Sequence, residues 1–285
     1  MLNLLNIRSE AEKAAARIPD IKQDALRTAF HILHGHNPQR KAGSGEAFWQ
    51  FREYQPGDLP REIDWRQSGK TDRVYIRQTE KHTAQTCLFW CKRNADMEFQ
   101  SDRSKFSKQQ ASAIIALTLA LLHSQSGDMI GVLNEQRPGH SEKALDQFED
   151  LLMLETTQAL PDESNIPRHA RFYGLSDLWE TPEDIEQAFA PIARRTSNGT
   201  LVQVLDRAEL SLPYSGRVTF ESRPSKDRFL IENVSDVREE YQQKIEAHRH
   251  ALQELCKKWG WQYALHVTDT PYEDTVLSMW AEHSS

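Results

Sequence analysis

Thr86-Cys-Leu-Phe-Trp-Cys91, followed without a break by Lys92-Arg-Asn-Ala-Asp96, is the stretch that decides the fold. Its apolar residues run on instead of alternating with polar ones, which predicts a strand buried on both faces. The charges behind it predict a loop at the strand's carboxyl end. Downstream, Phe106–His123 is rich in Ala, Ile and Leu around most of its circumference and reads as a largely buried helix. Strand signals follow at Met129–Leu133, His169–Leu175 and Leu201–Leu205, with a polar loop reaching Gly139 and helices expected over Ser141–Leu160 and Pro182–Ile192. Strands alternating with helices at this interval predict an α/β fold with a mostly parallel sheet and helices on both faces. Past Asp206 a short ribbon (Val218–Glu221, Arg228–Glu232) interrupts the order. A helix over Val237–Trp259 closed by Gly260, a strand over Trp261–Val267 and a helix over Tyr272–Ala281 complete it.

Working back from Thr86, residues 1–84 read as an N-terminal helical and loop segment with a small β element, and residues 85–285 as the α/β domain. Ile7–Leu33 has helical spacing with a break at Pro19-Asp20. His31, His34 and His36 cluster at its end; without a fourth ligand at a usual spacing they read as a polar helix end. Asn37–Gly45 is a connection. Phe51–Trp65 (FREYQPGDLPREIDW) combines turn chemistry, aromatics and alternating charge. Pro56 and Gly57 suit the central positions of a type II turn. Arg52, Asp58, Arg61 and Asp64 are placed to pair, with Tyr54 and Trp65 as packing anchors, so the block reads as a brace between the two parts of the chain. Gln67–Asp72 contains Gly-Lys-Thr, yet the glycine that a phosphate loop needs is replaced by Asp64. A hairpin turn feeding a strand from Val74 is the expectation.

The 285 residues are 38% hydrophobic and 27% charged, with seven Trp and a net charge of -7. This acidic balance argues against a general nucleic-acid surface. No window has the apolar length of a membrane span, and Met1–Ile7 lacks a signal peptide's basic start, so a cytoplasmic location is expected. Cys87, Cys91 and Cys256 match no metal or disulfide spacing and read as small core residues.

In an open parallel sheet, functional groups collect beyond the strands' carboxyl ends. Here those ends are Lys92–Met97, Leu175-Ser176-Asp177-Leu178 and Asp206. No Gly-x-Ser-x-Gly elbow, His-Glu-x-x-His helix or Cys-x-x-Cys pair is present, and His248 and His250 read as solvated helix positions. A hydrolase using Asp96, Asp177 and a histidine stays as an alternative.

The Phe51–Trp65 block, the Thr86 strand and its loop, Leu-Ser-Asp-Leu at 175–178, Val-Leu-Asp-Arg-Ala-Glu-Leu at 204–210 and the Tyr241–His250 helix together resemble the bacterial domain of unknown function 58 family. That resemblance implies a von Willebrand factor A-like second part, and an adaptor role beside a MoxR-type AAA+ ATPase or its client, without enzymatic activity or cofactor. It also implies a degenerate metal-ion-dependent adhesion site. Lys92, Asn94 and Asp96 would stand at the three ligand positions of the first loop, with Ser176 and Asp177 in a later one. An ammonium at the first position repels a hard cation. Lys92 is therefore expected to supply the charge itself, pairing with Asp96 or Asp177; a metal-dependent contact through Asp96 and Asp177 is the alternative.

Overall fold

The computed structural model describes residues 20–32, 48–55, 58–59, 63–70, 73–79, 84–162, 166–221 and 228–280. They fall into two compact units, the smaller within residues 37–84. In chain order the elements are a helix over residues 20–32 (α1), Phe48–Glu53 (β1), Trp65–Ser68 (α2), Tyr75–Thr79 (β2), Thr86–Cys91 (β3), Lys108–Gln125 (α3), Met129–Val132 (β4), Glu142–Met153 (α4) and Ala170–Ser176 (β5). Pro182–Ala193 (α5), Thr196–Leu205 (β6), Arg207–Ser211 (α6), Val218–Glu221 (β7), Arg228–Ile231 (β8), Val234–Trp259 (α7), Gln262–Val267 (β9) and Tyr272–Trp280 (α8) follow.

The larger unit is built on a five-stranded parallel sheet in the order β4-β3-β5-β6-β9. In β3 the two faces are both apolar: Cys87, Phe89 and Cys91 enter one core with α1, α3 and α8, while Leu88 and Trp90 enter a second with α5 and α7. The unbroken hydrophobic run of the sequence is the consequence of having no wet face. All three cysteines are buried. Among the described helices none is long and apolar enough to cross a membrane.

Counted within this sheet, the strand order is 2-1-3-4-5, so the connections leaving β3 and β5 diverge. This is the topological switch point at which a doubly wound sheet opens a crevice at its carboxyl edge.

Four expectations need correction. First, α1 belongs with the α/β unit and not with the segment that follows it, because Ile21, Ala25, Ala29 and Ile32 share one face and are buried in the α3 core. Second, α4 stops at Met153, short of Leu160: Leu154 turns extended, and Thr156 N–H donates to Arg93 O instead of to a helical carbonyl. Third, β6 begins at Thr196, because backbone pairing with β5 extends into a polar stretch that has no apolar signature. Gly199 lies in that extension, and a Cβ there would come within 2.3 Å of the Trp261 indole, so only glycine lets the strand pass under the ring. Fourth, α3 starts two residues late, where Ser107 and Gln110 form a reciprocal capping box.

Burial of the histidine that fastens α8 to β9 predicts an acid-sensitive fold. His266 is fully buried, bonds Thr275 Oγ1 through Nδ1 at 2.9 Å and stacks on Tyr272. Desolvation pushes its pKa down to about 4 from 6.5. The unfolded chain therefore binds the extra proton first, and stability rises with pH between these values and is lost as pH falls through them, by about 3 kcal/mol. Urea titrations at pH 7 and pH 4.5 should show this loss, and His266→Gln should reduce it.

Candidate functional site: a lysine-clamped carboxylate at the switch point

Asp177 follows β5, and Leu178 behind it adopts φ 51°, a left-handed conformation that costs a bulky residue about 1–2 kcal/mol. Ser176 Oγ accepts the Leu178 N–H at 3.1 Å, and Gln203 Nε2 donates to Asp177 O at 2.9 Å. The backbone is thus held so that the Asp177 carboxylate stays inside, 1% exposed.

Each of its oxygens meets a separate ammonium. Lys92 Nζ lies 2.9 Å from Oδ1 and Lys108 Nζ 3.0 Å from Oδ2, and both lysine side chains are 2% exposed. Two partly exposed glutamates complete the cluster: Glu180 Oε1 is 2.6 Å from Lys92, and Glu209 Oε1 is 2.7 Å from Lys108. Burial works against charge on all three central groups. For the lysines, Asp177 and the glutamates more than reverse it and raise their pKa values; for Asp177, Lys108 and Lys92 reverse it and hold its pKa below the usual value.

Asp96 sits at the edge. Its carboxylate is 3.6 Å from Lys92 and 38% exposed, and it accepts from Asn94 Nδ2 at 3.0 Å. Of the two carboxylates expected for Lys92, Asp177 thus makes the buried contact.

A neighbouring acid closes the β6 side. Asp206 is fully buried; Oδ1 accepts from Ala208 N–H at 2.8 Å, and Oδ2 accepts from Ser101 N–H at 3.0 Å, Ser104 Oγ at 2.8 Å and Thr268 Oγ1 at 3.1 Å. Burial opposes its charge, but these hydrogen bonds outweigh it and lower its pKa. Asp206 also caps α6 in a capping box with Glu209, whose Oε2 returns to Asp206 N–H at 2.8 Å while its Oε1 holds Lys108. One glutamate therefore ties the cap to the clamp.

Above the clamp lies an open depression of about 440 Å³, lined by the clamp groups together with Asp96, Trp179 and Glu221. Trp179 Nε1 donates to Glu209 at 3.3 Å, and its ring stacks on His248, which lies 2.6 Å from Leu178 O. His248 is thus a support for the Leu178–Trp179 turn and not a solvated helix position.

Lys108, Glu180 and Glu209 were not among the residues singled out from sequence. Lys108 had a signal: a cation in the first turn of a buried helix opposes the macrodipole and needs a reason to be there. The divalent cation of the alternative reading does not fit this donor set, since both oxygens of Asp177 are already held at salt-bridge distance by fixed positive charges. Elsewhere among the described residues, Cys87, His123 and Asp128 have ligand atoms within 4.8 Å of one another. His123 bridges Asp128 and Tyr173, each at 2.8 Å, and burial pushes the Cys87 thiol far up, which describes an internal hydrogen-bond network.

In the smaller unit, Arg52 Nη2 lies 2.8 Å from Asp58 Oδ1, and Asp58 Oδ2 accepts Gln55 N–H at 2.7 Å. Asp64 caps α2 through Gln67 N–H at 2.9 Å, so a short helix stands at the start of the expected turn; Gly69 and Lys70 turn after it, residues 71–72 lie outside the described residues, and Ile63 pairs antiparallel with Ile76 of β2. Tyr54 and Trp65, expected as anchors, are 37% and 69% exposed; the buried side chain of α2 is Ser68, which accepts Tyr75 N–H at 2.8 Å. Gly57, Arg61 and the turn at Pro56 lie outside the described residues. Asp64→Ala should lower stability by about 1 kcal/mol, the usual loss for a missing cap, measured as a shift in the unfolding of this unit.

Residues 50–144 match the family described as Protein of unknown function DUF58. The DUF58 span contains Lys92, Asn94, Asp96 and Lys108, whereas Asp177, Glu180, Asp206 and Glu209 lie beyond it. No curated protein matches the chain.

Proposed function

We propose that this chain is a non-enzymatic protein-recognition module of the cytoplasm, which presents the carboxyl-end loops after β3, β5 and β6 as a rigid face to a partner. The observation that carries the reading is the pair of buried ammonium groups on Asp177, which through Glu209 join the loops after β3, β5 and β6. The partner in this reading is a MoxR-type AAA+ ATPase or its client, as the sequence resemblance described above implies. Fixed charges on such a face set register and selectivity more than affinity.

The chain would be immobilised and challenged with the purified nucleotide-free ATPase of the same cell, with and without EDTA, beside calorimetry of the chain alone with Mg²⁺. Binding that survives EDTA, with no saturable Mg²⁺ heat, is expected. A saturable heat abolished by Asp177→Asn, or binding lost in EDTA, would replace the reading by a metal-assisted contact; absence of binding in both conditions would remove the ATPase as partner.

A further inference from the structure

The face described above carries two features that the clamp does not use. Within the depression, two ammonium groups face the five carboxylates of Asp96, Asp177, Glu180, Glu209 and Glu221, which leaves a local excess of negative charge. Glu180 gives one oxygen to Lys92, and its other oxygen is buried without a hydrogen bond. Trp179 stands at the edge, 37% exposed, with its ring fixed from behind by His248 and its indole N–H by Glu209. A rigid aromatic face beside surplus carboxylates suits a cation, above all a guanidinium, which stacks and bonds at once.

The second feature is apolar. β7 and β8 pair only with each other among the described residues, and on β8 Phe229 is 63% and Leu230 50% exposed. The ribbon adjoins the depression, since Glu221 of β7 lines it and pairs with Arg228 of β8, two residues before Leu230 on the same face, while Phe229 projects to the other face. A two-stranded ribbon with exposed apolar side chains gains from being covered.

We propose that the depression and the β7–β8 ribbon form one docking surface for a partner-protein segment that carries an arginine or lysine next to apolar residues. The basic side chain enters between Trp179 and Glu180, and an apolar neighbour covers Leu230, which projects to the same face of the ribbon as Glu221. Charge complementarity selects this occupant: an acidic segment or a nucleic-acid phosphate would meet the carboxylates, and a second copy of this chain is itself acidic, at -7. This inference rests on the recognition reading above and adds the chemistry of the partner.

A random dodecapeptide display library would be selected on the immobilised full chain. Arginine or lysine flanked by Leu, Ile or Phe should be enriched, and the best peptide should weaken with salt. Its affinity should fall about tenfold or more in each of Trp179→Ala and Leu230→Asp, the scale of a binding hot spot. Both positions are exposed, and unchanged circular dichroism would exclude misfolding. Acidic consensus peptides, no enrichment, or binders indifferent to both substitutions would overturn the proposal. So would a wild-type dimer in sedimentation that Leu230→Asp dissolves. The two readings fail separately: ATPase binding untouched by Trp179→Ala and Leu230→Asp would leave recognition standing and remove this surface, whereas peptide binding without ATPase binding would remove only the named partner.

Discussion

Asp177→Ala should be the most damaging single substitution in the site, lowering stability by about 3–5 kcal/mol because it leaves Lys92 and Lys108 buried and short of an anion. For a chain of this size that corresponds to a fall of about 10 °C in melting temperature. The loss is not the worth of the pairs themselves. Replacing the whole triad, as Lys92→Met/Asp177→Leu/Lys108→Met, removes the charges and their desolvation together, and should recover a large part of the stability. Glu180 and Glu209, each 17% exposed, can then turn to water. Recovery in the triple variant with partner binding still lost would separate the clamp's functional role from its structural one. The clamp should also be indifferent to pH over a wide range. The lowered Asp177 keeps its contribution above the ordinary value of 3.8 and loses it as pH falls through its folded pKa, while the raised lysines keep theirs below 10.5 and lose it as pH rises through theirs. A stability slope below pH 6.5 therefore belongs to the buried histidines His266 and His123, whose pKa values burial lowers, and not to the site.

Asp206→Ala is expected to come second, at about 3 kcal/mol by chemical denaturation. It strips an acceptor from two backbone N–H groups and two hydroxyls, at a residue with no access to water, and removes the α6 cap. Asp206→Asn should recover only part of this. The two backbone donors sit on different oxygens, so an amide always turns its NH₂ toward one of them. Because Glu209 bonds both Asp206 N–H and Lys108, the same change should loosen the clamp, and Trp179 fluorescence would report it.

The parallel sheet and the loops at its carboxyl ends were legible in the linear pattern, because β3 and β5 are apolar on both faces and are followed at once by charge. Helix ends were less so. Capping boxes at Ser107 and Asp206 moved or created boundaries that hydrophobic spacing does not record. Residue type alone makes Tyr54 and Trp65 anchors, but type does not fix which way a side chain turns in a short loop, and both are exposed.

What the sequence determined by itself was the class of fold and the positions of Lys92 and Asp177 at two strand ends, since burial on both faces and charge at the strand's end are local properties of the chain. Only the tertiary structure decided that these ends adjoin at the switch point. The order 2-1-3-4-5 is a matter of how strands pair across long connections, and it sets β5 beside β3 although β4 lies between them in sequence. That pairing also brings in Lys108 and Glu209, 69 and 101 residues from the groups they touch. A clamp made of contacts at that separation has no signature in the linear chain.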